Sequence, residues 1–134
     1  MKFKLPCEGV STPFYYYDME LLRYTLNEIK ECISGSDVHV HYAIKANGNP
    51  EILKVIADSG FGADCVSGGE IEAALAAGFS NDSIYYAGVG KTDREIIFGI
   101  ESGIGCFIIY SKISAERAFR ARFLSSALIR NEML

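Results

Sequence analysis

Lys45 closes the run His39-Val40-His41-Tyr42-Ala43-Ile44-Lys45, an apolar and aromatic stretch that continues as Ala46-Asn47 and breaks at Gly48-Asn49-Pro50. Strand alternation sets His39, His41, Ala43 and Lys45 on one face and Val40, Tyr42 and Ile44 on the other. An amine at the exit of a buried strand is a candidate Schiff-base nucleophile. Where a strand end supplies burial and neighbouring cations, they disfavour an ammonium charge and make the amine a better nucleophile. The competing reading is a lysine that snorkels into water. His39 and His41 share a face and could be two metal ligands, but no third ligand stands at a suitable spacing, so no metal is expected and both are read as polar fillers. Gly88-Val89-Gly90-Lys91-Thr92 imitates the end of a phosphate-binding loop, yet that pattern needs glycine where Tyr85 stands. Cys7, Cys32, Cys65 and Cys106 are scattered, with no C-x-x-C pair, and read as reduced thiols.

These residues are positioned by a unit that repeats along the chain. After Lys45, Asn49 caps a helix whose first turn takes Pro50, whose apolar stripe is Ile52, Val55 and Ile56, and which Gly60 stops. A short strand, Ala63 to Ser67, leads to Ser67-Gly68-Gly69-Glu70, a capping-box pattern before the helix of Ile71, Ala74 and Leu75. Ser83 to Ala87 is the next strand, Thr92-Asp93-Arg94-Glu95 the next capping box, Ile96, Ile97 and Ile100 the next stripe, and Gly105 to Ile109 a fourth strand. The strands begin about 22 residues apart, a regular period that predicts an α/β fold of parallel strands and crossover helices and favours a (β/α)8 barrel over an open sheet. In such a barrel chemistry gathers at the C-terminal ends of strands, where Lys45, Ser67 and Gly88 fall. Upstream, Asp18 caps a helix with the stripe Leu22, Leu26, Ile29 and Ile33, and Thr12 to Tyr17 has strand propensity, with Pro13 confining it to an edge outside the barrel.

With 134 residues, 49% of them hydrophobic, the composition is that of one globular domain. Met1 to Pro6 lacks the apolar core of a signal peptide and no stretch reaches membrane-span length, so a cytoplasmic protein without a membrane partner is expected. Residues 1–110 carry 8 basic and 15 acidic side chains, which argues against nucleic acid as a partner, whereas residues 111–134 carry 5 and 2. The expected division is therefore a body, 1–110, and a basic, amphipathic tail, 111–134.

Tyr42-Ala43-Ile44-Lys45-Ala46-Asn47 resembles the pyridoxal-phosphate lysine motif of the alanine-racemase-like (fold-type III) ornithine/diaminopimelate/arginine decarboxylases, and within them of the diaminopimelate decarboxylases. The likeness extends through Gly62-Ala63-Asp64-Cys65-Val66-Ser67-Gly68-Gly69-Glu70 and Tyr86-Ala87-Gly88-Val89-Gly90-Lys91-Thr92, and Ser11 to Asp18 looks like the family's lead-in strand from its second, all-β domain. It covers roughly residues 10–107. The resemblance implies that Lys45 holds pyridoxal 5'-phosphate as an imine, that Asp64 and Glu70 line the cofactor pocket, and that the cofactor takes up the electron pair left by loss of CO2 from an amino-acid substrate, meso-diaminopimelate giving L-lysine. Beside these roles stand plainer ones: Asp64 pairs with a neighbouring cation, and Glu70 caps its helix. Gly68-Gly69 could hold a phosphate on backbone amides, but the family places its phosphate loop later in the chain.

A closed barrel takes about 250 residues, so this sequence supplies only the first part of one. The family's glycine-rich phosphate loop, ring-stacking histidine, acidic partner of the ring nitrogen and β-domain, through which full-length members form homodimers, have no counterpart in it. The expectation is a truncated decarboxylase, inactive by itself. The alternatives are an ornithine- or arginine-type decarboxylase fragment, or a non-catalytic chain that binds a partner through open strand edges.

Overall fold

In the computed structural model, residues 9–112 and 115–120 are described, and the elements run α1 (Met19–Ile33), β1 (His41–Ala43), α2 (Pro50–Asp58), β2 (Gly62–Cys65), α3 (Gly68–Ala77), β3 (Ile84–Tyr86), α4 (Asp93–Glu101) and β4 (Cys106–Phe107). The α/β character and the repeat are those read from the sequence. Each helix starts where its cap stands. Asp18 accepts from Leu21 N, Asn49 from Glu51 N, Ser67 from Glu70 N and Thr92 from Glu95 N, so each first turn has one of its orphan N–H groups satisfied by the residue that also ends the preceding loop.

The four strands lie in chain order, β1-β2-β3-β4, all parallel. Ala63, Cys65, Ile84 and Tyr86 point to the helix layer and are fully buried, against Ile52, Leu53 and Ile56 of α2, Ile71 and Ala74 of α3 and Ile96 of α4. Burying aliphatic side chains of this size contributes about 1.5–3 kcal/mol each. The opposite face carries one side-by-side row, Ala43, Asp64, Tyr85 and Cys106. In the row below, Gly62 has no side chain because His41 needs the space: a Cβ there would overlap the imidazole and sit 2.7 Å from the Ser83 carbonyl. His41 lies across that gap and packs on Tyr85, ring centroids 4.0 Å apart and planes tilted by 33°.

Three expectations are corrected. The first strand is three residues long and ends at Ala43, because Ile44–Ala46 turn into one turn of 3-10 helix. His39 therefore precedes the strand and is exposed, 3.6 Å from Asp37, so it fills no interior. Residues 12–17 carry no strand: a strand needs a ladder partner, and the sheet of the described residues, β1 to β4, forms no ladder with them. The fourth strand spans two residues instead of five. Of the basic tail, residues 113–114 and 121–134 lie outside the described residues; the part that is described includes Arg117, whose Nε donates to Asp93 Oδ1 at 2.6 Å. None of the described helices is long and apolar enough to cross a membrane.

Candidate functional site

The C-terminal ends of the strands bring together the turn bearing Lys45, the β2–α3 loop and the β3–α4 loop. The 3-10 turn packs against β2 and α3. Ile44 is driven into the core, 2% exposed, and the tighter turn swings Lys45 out to solvent. The enclosure of Lys45 expected from an unbroken strand is thus absent among the described residues. Period-two alternation stops where the strand stops. Asn47 steadies the turn, its carbonyl accepting from the Tyr42 hydroxyl at 3.3 Å and its side chain from Asn49 N at 3.0 Å.

Asp64, one strand away and in register with Ala43, faces the side of the sheet away from the helices. Its Oδ1 is buried and has no hydrogen-bond partner, a costly state for a carboxylate oxygen unless a donor arrives. Glu70 reaches back along its own helix, Oε2 accepting from Val66 N at 2.7 Å. No ion pair within 4.0 Å joins Lys45 to either carboxylate among the described residues. No three His, Cys, Asp or Glu side chains cluster among the described residues in a metal-binding arrangement. Burial pushes the Cys65 thiol up to about 12, with Glu70 and Asp64 adding to the effect, so it stays protonated and inert.

Two residues have roles that sequence reasoning did not assign. Glu95 was legible only as the capping partner of Thr92, whose N–H and hydroxyl it accepts at 2.9 and 2.7 Å; its other oxygen crosses to the next helix and accepts from Gly68 N at 2.9 Å. The Gly68 and Thr92 N–H groups hold its carboxyl down at about 2. The α3 N-terminus, weighed as a phosphate seat, already has its anion. Lys91, read only as the end of an incomplete phosphate loop, is buried, donating to Gly88 O at 2.5 Å and Ile108 O at 2.9 Å. A cavity of about 460 Å³, lined by His41, Gly62 and Tyr85 among others, opens at the opposite, N-terminal end of the strands and does not include Lys45.

Among curated relatives, the diaminopimelate decarboxylase of Bacteroides thetaiotaomicron is 55% identical over 103 residues, 76% of this chain and 27% of that protein. Among solved structures, Helicobacter pylori diaminopimelate decarboxylase complexed with L-lysine superposes with a TM-score of 0.81 at 35% identity, covering 85% of this chain and 29% of that one. The Paramecium bursaria Chlorella virus arginine decarboxylase is more distant, with a TM-score of 0.64 at 26% identity over 72% of this chain and 26% of that one. The chain thus spans little more than a quarter of the length of these relatives. Residues 20–120 match the family described as pyridoxal-dependent decarboxylase, pyridoxal binding domain. The capped βα units, the strand-end lysine and this match over most of its length place the chain in the pyridoxal-dependent decarboxylase family, as the N-terminal part of its pyridoxal-binding barrel domain.

Proposed function

We propose that this chain is the lysine-bearing part of a cytoplasmic diaminopimelate decarboxylase, acting in lysine biosynthesis as a homodimer when the remainder of the barrel and the second domain are present. The observation that carries the reading is the pairing of a solvent-reachable amine, Lys45, on a turn packed against β2, with a buried and unpartnered oxygen of Asp64 on that strand. An aldehyde-bearing group with a hydrogen-bond donor fits such a place: the lysine side chain is open to it and the carboxylate oxygen lacks a donor. Lys45 would hold pyridoxal phosphate covalently, and Asp64 Oδ1 would accept a hydrogen bond from the bound group. Glu70, spent on Val66 N, would act by fixing the β2–α3 loop that borders the site. When bound, the cofactor supplies the electron sink for decarboxylation. Tyr85, in register with Asp64 on β3, packs against His41 across Gly62. The basic tail, 111–134, would follow this portion, although the family match runs to residue 120 and Arg117 of the tail donates to Asp93 of α4. Diaminopimelate is favoured over arginine or ornithine because the diaminopimelate decarboxylase structure superposes more closely than the arginine decarboxylase.

Incubating the 134-residue chain with pyridoxal phosphate, reducing with borohydride and mapping the modified peptides tests the reading. Lys45 should be modified ahead of Lys30, Lys54 and Lys112, which lie on exposed surfaces. Modification spread evenly over the lysines would reject it. The same chain alone should release no lysine from diaminopimelate, since it spans little more than a quarter of the length of the enzymes it resembles.

A further inference from the structure

Lys91 is the one charged side chain buried among the described residues, 6% exposed. Buried ammonium groups normally carry a carboxylate partner, and no carboxylate of the described residues lies within 4.0 Å of this one. Its charge is compensated instead by two carbonyls, Gly88 O and Ile108 O, and by the faces of Tyr86 and Tyr110, whose ring centroids are 4.8 and 5.9 Å from Nζ. Gly88 lies just beyond β3 and Ile108 just beyond β4, so one ammonium spans two adjacent strand exits. Those exits need it. β4 has only two residues in its ladder, extended on the exit side by the bond from Ile108 N to Tyr86 O. The β3–α4 loop is tied on its other side, Ala87 N donating to Cys65 O at 2.7 Å, and Gly88 turns at φ +90° against the Val66 backbone. The clamp therefore closes a row of fixed exits, β2 to β3 to β4, at the end of the sheet where Lys45 stands.

We propose that Lys91 is a positioning residue: by holding Gly88 and Ile108 together it sets the wall that the β3–α4 loop and residues 108–110 present to the cofactor at Lys45. This rests on the reading that the strand ends take pyridoxal phosphate at Lys45.

The test compares the unaltered chain with Lys91→Met, which keeps the length and apolar stem but cannot donate, and Lys91→Arg, which can still reach two carbonyls. Amide exchange and borohydride trapping of pyridoxal phosphate at Lys45 are read on each. In Lys91→Met, exchange should rise about tenfold in residues 86–91 and 106–110 while α2 stays unchanged, and the pyridoxal phosphate concentration for half-maximal trapping should rise about fivefold. Lys91→Arg should recover most of both changes. Trapping indifferent to Lys91→Met overturns the inference. So does a rise in exchange across the whole chain that Lys91→Arg fails to reverse, which would mark Lys91 as a generic part of the core. If the unaltered chain traps nothing at Lys45, the functional reading fails and takes this inference with it.

Discussion

Replacing Glu95 with glutamine should destabilise the fold in a way that depends on pH. The carboxylate accepts three hydrogen bonds, from Gly68 N, Thr92 N and the Thr92 hydroxyl, and so serves the N-termini of two helices at once. Its pKa falls from 4.5 to about 2 in the folded chain. By linkage that fall is worth at most about 3 kcal/mol. Because the side chain is partly exposed, solvent screening reduces the expected value to about 1–2 kcal/mol. The folded pKa is the lower one, so the stabilisation is complete above the unfolded value of 4.5 and disappears as pH falls from there toward 2. Glu95→Gln preserves shape and one carbonyl acceptor while removing the charge. Urea unfolding followed by circular dichroism should show the variant about 1–2 kcal/mol less stable at pH 7, with the gap closing at pH values near 2. A gap of the same size at both ends of that range would mean that packing, not the carboxylate charge, accounts for it. No gap at neutral pH would refute the bridge between α3 and α4.

Gly62→Ala should lower the melting temperature by several degrees, about 1–3 kcal/mol, because its methyl would displace His41 from Tyr85 and press on the Ser83 carbonyl, which is backbone and cannot swing away. Adding His41→Ala should recover only part of the loss, and full recovery would show that the Ser83 contact is harmless. Leu53→Ala, at a position 1% exposed between α2 and the sheet, should cost about 2–5 kcal/mol in the same unfolding assay. A smaller loss would mean that the helix layer is loosely packed.

The helix starts were legible because caps are local. Asn49, Ser67 and Thr92 each act within three residues, and each helix begins where its cap predicts. The repeat was legible for a related reason, since Ile52, Ile71 and Ile96 mark faces whose period survives any tertiary arrangement. Strand lengths were not. Ile44 has high strand propensity, and nothing local says that the chain tightens there into a turn, yet that turn leaves Ile44 buried and swings Lys45 out to solvent. Residues 12–17 have strand composition, but a strand is completed only by a ladder partner. Glu95 was half legible: its bond to Thr92 follows from the capping-box spacing, whereas Gly68 lies 27 residues away and becomes a neighbour only when consecutive units stack. Lys91 was legible only as the end of an incomplete phosphate loop, because its carbonyl partners depend on how the β3–α4 loop folds and on Ile108, 17 residues on.

The strand order has a consequence for how this chain is made. Because β1, β2, β3 and β4 are spatial neighbours in the order in which they are synthesised, each βα unit leaving a ribosome finds its docking surface already formed by the unit before it. Among the described strands, none waits for one translated later, and each of these pairings closes a loop of only about twenty residues, for which the entropy of closure is small. The sheet can grow from its first edge as a nascent polypeptide, with only the newest strand exposed to wrong partners at any moment.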